Sequence, residues 1–224
     1  TSTPGVNMTN ASTGLNASWT CMNARQQFSE KFSWNANGVS DDLRAELWIT
    51  SKDGAKITNE SITNFADGYV PVKYTNYAYD EEGNIDEELC PPASNAFADA
   101  DWAVIRLAEI YLSAAEANVV GGAGNQADAL TYVNYIRERA GVDAWSVAQL
   151  TPDNLLDERC RELYGENVRR TDLVRHGKYA GSAYNWNWKG NVGNGGTGTP
   201  EHMNLFPIPA TVISFQGYKQ NPGY

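Results

Sequence analysis

The sequence predicts a mostly α-helical fold with long loops and a few short strands. Four helical segments with caps or an apolar face fall between residues 101 and 177, whereas only two short stretches before residue 100 have the character of strands. Hydrophobic residues make up 42% of the 224 residues, which is enough for a core and excludes a disordered chain.

The first two predicted helices form a hairpin. The first starts after Asp101 and stops at Gly121-Gly122, and the second runs from about Gln126 to Ala140, with Gly141 in the position of a left-handed C-cap. Their apolar faces carry Ile105, Ala108, Leu112, Ala115 and Val119 in the first and Leu130, Val133, Ile136 and Ala140 in the second. The pair looks like a tetratricopeptide hairpin, which cannot bury its own face without partners.

The predicted third and fourth helices follow the hairpin in sequence. Thr151 is a predicted N-cap, with Pro152 at the first helical position and Asp153 in the first turn. The predicted buried face of this third helix consists of Leu155, Leu156, Cys160, Leu163 and Tyr164. A fourth, short helix covers about Arg170 to His176 and ends at Gly177.

The part before the helices is richer in loop. Residues 1–40 contain many Asn, Ser, Thr and Gly, which predicts loop with one short helix over residues 23–32. Strands or extended segments are predicted over residues 43–50 and 68–74. We therefore expect a loop-rich segment over residues 1–100 and a helical portion over residues 101–224.

Composition limits the classes of function. With 27 acidic residues against 17 Lys and Arg, the net charge is −10, which argues against a nucleic-acid partner. No stretch approaches the roughly 20 apolar residues of a membrane span. The chain begins at Thr1 without a charged-then-apolar segment, so we expect that any signal peptide was removed or lies upstream.

Metal and sulfur chemistry receive little support from the sequence. Cys21, Cys90 and Cys160 are odd in number and widely spaced, which fits neither a disulfide scaffold nor a zinc site, although one bridge involving Cys21 or Cys90 remains open. The acidic run over residues 80–88 lacks the spacing of an EF-hand loop, and a solvated turn is the favoured interpretation. We predict no cofactor and no metal.

Catalysis is also not expected. A glycosidase would need a carboxyl pair with one raised pKa, and the candidates are Glu109, Glu116, Glu158 and Glu162. Each lies near an arginine on a predicted helix, so we interpret them as structural ion pairs with lowered pKa values. These arginines are Arg106, Arg137, Arg139, Arg159 and Arg161. Neither His176 nor His202 belongs to a zinc-peptidase motif, and no serine nucleophile elbow is present.

The candidate binding residues are aromatic. Tyr184, Trp186 and Trp188 alternate with Asn185 and Asn187, which combines flat rings for the apolar face of a sugar with amides for its hydroxyls. In an extended segment the two Trp would share one side, and we expect at least one of them to be exposed. The alternative is that these Trp pin the Gly-rich loop over residues 190–200 to the helices.

Four other tryptophans have predicted roles in ligand binding or in the core. Trp19 and Trp34, near Asn16 and Asn23, are the second candidates for ligand binding. Two more, Trp102 and Trp145, are expected in the core.

Four stretches together resemble the C-terminal half of the SusD/RagB family, surface glycan-binding lipoproteins of Bacteroidetes. The stretches are Asp101-Trp-Ala-Val-Ile-Arg-Leu-Ala-Glu-Ile-Tyr-Leu-Ser-Ala-Ala-Glu-Ala117, Ile136-Arg-Glu-Arg-Ala-Gly141, Asp157-Glu-Arg-Cys-Arg-Glu-Leu163 with Asp172-Leu-Val-Arg-His-Gly-Lys178, and Phe206-Pro-Ile-Pro with Gln220-Asn-Pro-Gly-Tyr224. Asp42-Leu-Arg44 resembles the family's Asp-x-Arg. One departure is Tyr164-Gly-Glu-Asn-Val-Arg-Arg170, which lacks the aromatic pair of the family's Phe-Glu-Gly-His-Arg-Trp-Phe run.

The resemblance implies a SusD-like α-α superhelix of tetratricopeptide-like hairpins, of which the N-terminal half would be absent here. It further implies an outer-membrane lipoprotein, anchored by a lipid on a Cys outside this chain, that binds an oligosaccharide for uptake through a SusC-like TonB-dependent transporter. The alternatives are a protein-interaction module that docks on the transporter without a glycan site of its own, or a glycan hydrolase. The sequence does not name the glycan.

Overall fold

In the computed structural model, the described residues form six α-helices and one two-stranded sheet. They are residue 14 and residues 23–34, 40–50, 69–71, 73–82, 84–86, 88–90 and 101–224, without the side chains of residues 46–50, 70 and 216. The helices are α1 (Gln26–Ser29), α2 (Leu107–Gly121), α3 (Gln126–Arg139), α4 (Pro152–Leu163), α5 (Arg169–Arg175) and α6 (Ala210–Gln216). The strands are β1 (Trp48–Thr50) and β2 (Tyr69–Pro71). The chain divides into two compact units, Thr1–Asn167 and Val168–Tyr224, and the predicted mostly helical fold is confirmed.

The predicted hairpin forms from α2 and α3, and α2 also packs against α4. Gly122 ends α2 with a φ of +67°, and its N–H donates to the carbonyl of Asn118. Asn125 caps α3, because its side chain accepts from the N–H of Ala127 at 2.7 Å. Gly141 follows α3 with a φ of +70°, as its sequence position predicted.

The first helix of the hairpin starts later than predicted. It begins at Leu107, and Ile105, which was expected on its buried face, precedes it and is 71% exposed. Arg106 has an extended backbone, and its guanidinium donates to the side chains of Glu162 and Glu166. These long-range contacts favour the extended approach to the helix, and no sequence pattern in the segment shows them.

The third and fourth helices follow the sequence signals closely. The Thr151 side chain accepts from the Asn154 N–H at 3.2 Å, and Pro152 occupies the first turn of α4. Gly177, with a φ of +65°, lies just beyond α5. The predicted apolar face of α4 is buried at Leu155, Leu156, Cys160 and Leu163.

The segment predicted as a strand over residues 43–50 is only partly extended. Leu43–Leu47 forms a 3₁₀ helix, because the Asp42 carboxylate accepts from the Arg44 N–H at 3.0 Å and starts a turn. The remaining residues form β1, which pairs antiparallel with β2 so that Trp48 lies opposite Pro71. In a two-stranded sheet every strand is an edge, where Pro is tolerated.

Two groups of buried apolar side chains stabilise the unit Thr1–Asn167. The larger lies on α2, α3 and α4 and includes Leu112, Val133, Ile136, Leu155, Leu156 and Leu163. In the smaller, Phe28, Trp34 and Tyr69 pack against Ala24, Phe32 and Ala45. Trp145 is buried, as predicted, but Trp102 is 47% exposed rather than in the core, with its indole N–H donating to the Gly165 carbonyl at 3.3 Å.

The unit Val168–Tyr224 contains α5, a long loop and α6. No helix was predicted from the sequence after Gly177, so α6 was missed. Pro209 at its N-cap and Gly217, with a φ of +67° at its C-cap, are the signals that could have predicted it.

Candidate functional site

The predicted aromatic segment lies in a loop that closes on itself. Gly181 and Thr199 pair across its ends, with N–O distances of 2.7 and 3.3 Å. Lys189 is 3% exposed, and its ammonium donates to the carbonyls of Gly181 at 2.8 Å and Tyr184 at 2.6 Å. A buried cation therefore fixes the loop from inside, and burial lowers the pKa of Lys189 although the charge of Glu201 opposes this.

Three aromatic rings meet at this loop, two from within it and one, Tyr179, from just before it. The Trp186 ring lies 6.1 Å from that of Tyr179 and 6.2 Å from that of Tyr184, between ring centroids. The Lys189 ammonium lies 4.8 Å from the centroid of Trp186. Tyr179, Tyr184 and Trp186 are half-buried and form what we call the aromatic cluster.

The turn after the aromatic cluster depends on two glycines. Gly196 has a φ of +62°, and a Cβ there would collide with the Trp186 carbonyl oxygen. The side chain of Asn187 accepts from the Gly195 N–H at 2.8 Å. Trp188 adopts a φ of +71°, and its ring lies beside Gly193.

This geometry changes the interpretation of the predicted ligand residues. The segment over residues 184–188 turns instead of extending, so the strand-like alternation of Trp and Asn is not realised. Asn187 is 1% exposed and holds the loop, so its amide does not face solvent. Trp186 and Trp188 are both half-buried, less exposed than expected but not enclosed. The half-buried side chain of Asn185 has a buried Oδ1 that accepts no hydrogen bond from the described residues.

Of the second candidates, Trp34 is the one that lies among the described residues. It packs on the smaller core of the unit Thr1–Asn167, where its indole N–H donates to the Ser29 carbonyl at 2.8 Å, and its ligand-binding role stays a prediction. Trp19 lies outside the described residues.

Cations around Tyr184 are the feature that sequence reasoning missed. An Nη of Arg169 donates to the Tyr184 hydroxyl at 2.9 Å, and the guanidinium carbon lies 5.8 Å from the ring centroid. The Lys178 ammonium lies 5.7 Å from the same centroid. Arg169 is fifteen residues before Tyr184, whereas Lys178, six residues before it, and Lys189, next to Trp188, could have been noticed from spacing.

Two of the carboxylates considered for hydrolysis, Glu158 and Glu162, belong to a buried ionic network in the unit Thr1–Asn167. Arg44 Nη1 donates to Glu158 at 2.8 Å and to Glu162 at 3.2 Å, and so bridges the two carboxylates. Burial would raise the pKa of Glu158, but Arg161, Arg44 and Arg137 lower it to about 2. An acid catalyst needs a raised pKa, so Glu158 is unsuited to that role.

The network extends further than predicted. Arg106 and Lys73 both pair with Glu166, and together they lower its pKa against the opposing effect of burial. Arg159 lies 3.6 Å from Glu116, which confirms the predicted pairing there. Glu109, by contrast, is half-buried but pairs with no arginine among the described residues, so that prediction was wrong.

Among the residues that the structure describes, no helix combines the length and the apolar content of a membrane-spanning segment. No group of three or more His, Cys, Asp or Glu side chains in the described ranges is arranged to hold a metal ion.

The fold and this loop define a class of protein with known members. The chain belongs to the SusD family, whose profile matches residues 16–224. Over 189 residues it is 38% identical to the starch-binding protein SusD of Bacteroides thetaiotaomicron, covering 83% of this chain and 32% of that protein. It is also 42% identical over 81 residues to the SusD-like protein P25 of Formosa agariphila, covering 33% of this chain and 15% of that protein.

Solved structures share the fold. A SusD superfamily protein from Bacteroides vulgatus is 25% identical with a TM-score of 0.59, covering 90% of this chain and 39% of that one. Surface glycan-binding protein A from Bacteroides fluxus is 26% identical with a TM-score of 0.60, covering 89% of this chain and 40% of that one. The SusD-like arrangement of tetratricopeptide-like hairpins is confirmed, and the chain spans about a third of the length of SusD.

Proposed function

We propose that this chain takes part in binding an oligosaccharide at the outer-membrane surface, for uptake through a SusC-like TonB-dependent transporter. Membership of the SusD family supports this proposal, as do a relative named as starch-binding and a structural neighbour named as surface glycan-binding. The lipid anchor would lie outside this chain. The protein itself would bind and release the glycan without cleaving it.

The single observation that carries the proposal is the aromatic cluster of Tyr179, Tyr184 and Trp186 at a loop fixed by Lys189. A sugar offers an apolar CH face that a flat, rigid ring can cover at low entropic cost. Rings that are only half-buried keep part of that face for a ligand. Asn185 adds an acceptor next to Trp186, and an unpaired buried acceptor costs about 1–3 kcal/mol until a donor such as a hydroxyl reaches it.

The test compares two Trp-to-Ala substitutions. A glycan array screened with the wild-type chain selects an oligosaccharide, and isothermal titration then measures its affinity for Trp186→Ala and for Trp102→Ala, a partly exposed Trp outside the aromatic cluster. Covering a ring with a sugar face should contribute roughly 1.5–3 kcal/mol, so Trp186→Ala should weaken binding about ten- to hundredfold. Trp102→Ala should leave the affinity unchanged.

Two results would contradict the proposal. If no glycan binds, or if both variants bind as tightly as wild type, the ligand is not held at the aromatic cluster. Release of reducing sugar by the wild-type chain would instead support the hydrolase alternative.

A protein-interaction module is the second candidate, and one surface of α2 favours it. Leu107, Ile110, Ala114 and Ala117 are exposed and recur at three- and four-residue steps, so they form an apolar stripe along one side of the helix. If the chain is a protein-interaction module, this stripe is the surface that docks on the transporter. Co-purification with the transporter that survives Trp186→Ala but is lost in Ile110→Glu would favour this candidate over glycan binding.

A further inference from the structure

Charge is distributed unevenly along the chain. The unit Val168–Tyr224 contains six Lys and Arg against two Asp and Glu, whereas the residues before it contain eleven against 25. The smaller unit therefore has a formal charge of +4 in a chain whose net charge is −10. A local excess of one sign attracts ligands of the opposite sign and raises their local concentration.

Three of the six cations converge on one residue of the aromatic cluster. Arg169 donates to the Tyr184 hydroxyl at 2.9 Å, Lys178 lies 5.7 Å from the centroid of its ring, and Lys189 donates to its carbonyl at 2.6 Å. Trp186 is the next ring of the cluster, 6.2 Å away. Positive charge and a flat apolar surface thus occur at the same place.

The carboxylates of this unit cannot balance that charge. Asp172 is 1% exposed and pairs with Arg175 at 3.0 Å. Glu201 accepts from the Asn204 side chain at 3.1 Å. These are the two carboxylate side chains that the sequence places in the unit, against six Lys and Arg.

We propose that the aromatic cluster selects acidic glycans, meaning oligosaccharides that carry uronic carboxylates or sulfate esters. This inference rests on the proposed glycan-binding function and specifies its substrate class. The sugar ring would cover Trp186 and Tyr184, while its anionic group meets Arg169 and Lys178. A guanidinium suits this role because it can bind a carboxylate or a sulfate through two parallel hydrogen bonds.

The decisive experiment compares two polymers that have the same sugar backbone and differ in charge. Isothermal titration compares polygalacturonate with its fully methyl-esterified form, in which the carboxylates are neutral. The acidic form should bind about tenfold more tightly, because its carboxylates accept charge-assisted hydrogen bonds from Arg169 and Lys178 that neutral esters cannot form as strongly. This preference should decrease as sodium chloride is added. Comparing the affinity for dextran sulfate with that for dextran repeats the test for sulfate esters. The two comparisons together identify which anion is preferred.

Matched variants show which residues cause the preference for the acidic polymer. Lys178→Gln and Arg169→Gln should each remove most of it, whereas Lys219→Gln, which removes the same charge at an exposed position after α6, should retain it. Arg169→Lys, which keeps the charge but not the planar guanidinium, should lie between Arg169→Gln and wild type. If Arg169→Gln does not fold, the Lys178 variant and the salt dependence still test the inference.

The outcomes separate this inference from the function on which it rests. Equal affinity for acidic and neutral polymers, equal loss in Lys219→Gln, or equally tight binding of poly-glutamate would overturn the preference for acidic sugars. Tight binding of neutral glycans alone would overturn it while leaving glycan binding intact. Binding to no glycan at all, acidic or neutral, would overturn both.

Discussion

At the scale of single residues, Glu158 lies at the centre of a group of buried charges. This carboxylate is fully buried and accepts from Arg44, Arg137 and Arg161, at 2.8, 2.8 and 2.6 Å. Buried ion pairs often contribute little net stability, because removing two charges from water offsets their attraction. Removing only one partner is different, because the other charges remain buried without it.

Glu158→Gln should therefore strongly destabilise the protein. The substitution keeps the shape of the side chain but leaves three arginines facing a neutral amide, at an expected cost of about 3–5 kcal/mol in the free energy of unfolding. Urea unfolding followed by circular dichroism measures this cost. Glu138→Gln, the same change at an exposed position on α3, should stay within about 0.5 kcal/mol of wild type. Equal stability of both variants would contradict a structural role for Glu158.

The same carboxylate makes stability depend on pH. Its pKa is about 2 in the folded protein, against 4.5 for an ordinary glutamate. Between these values the unfolded chain binds a proton that the folded protein does not, so stability falls as pH falls from about 4.5 towards 2. The full effect is roughly 3 kcal/mol, and Glu166 acts in the same direction. Urea midpoints should decrease over this range in wild type and less steeply in Glu158→Gln, and identical slopes would refute the assignment.

At the scale of elements, the loop that carries the aromatic cluster is shaped by contacts within itself. Lys189 binds two of its carbonyls, and Asn187 holds the turn at Gly195. The following residue, Gly196, approaches the Trp186 carbonyl too closely for any side chain. The orientation of Trp186 thus depends on a glycine ten residues further along the chain.

Two neighbouring substitutions test this dependence. Gly195 and Gly196 both have positive φ values, +81° and +62°, but a Cβ at Gly195 would meet open space. Gly195→Ala should cost only the left-handed backbone strain, about 1–2 kcal/mol. Gly196→Ala should cost more and should also change the fluorescence of Trp186, because its backbone must move. Equal melting temperatures and spectra for the two variants would show that the loop is not packed in this way.

At the scale of the whole molecule, α2 is apolar on more than one side. Ala108, Leu112 and Ala115 are buried towards its neighbours, yet Leu107 and Ile110 on another side are 61% and 52% exposed. A helix that is apolar nearly all round is typical of one buried on several sides. The exposed side is therefore a surface that favours association with another apolar face.

We expect the 224-residue chain to self-associate through this side of α2. Sedimentation velocity should show a larger sedimentation coefficient as concentration rises, and Ile110→Glu should abolish the increase by placing a charge in the apolar stripe. Thr131→Glu, the same charge at an exposed position on α3, should have no effect. A monomer at all concentrations, or equal behaviour of both variants, would exclude the stripe as a self-association surface.

The sequence by itself determined the helices of the core and the class of the fold. Capping residues and Gly stops act over a few neighbouring residues, so Thr151, Gly122 and Gly141 could be interpreted correctly without tertiary information. The ion pairs of Glu116 and Glu158 were also predictable, because charged side chains on the buried face of a packed helix need partners. Which arginines they meet was only partly predictable.

Tertiary structure decided the rest. Part of it depends on contacts between residues far apart in sequence, and part on how a loop folds back on itself. Arg44 joins Glu158 across more than a hundred residues, and Arg106 delays the start of α2 by pairing with α4 and the turn after it. The alternation of Trp and Asn suggested a strand, but the buried Lys189 ammonium folds the segment into turns, since a charge in a low-dielectric interior must bind nearby carbonyls. The grouping of cations around Tyr184 combines Lys178 and Lys189, which are near it in sequence, with Arg169, which is fifteen residues away.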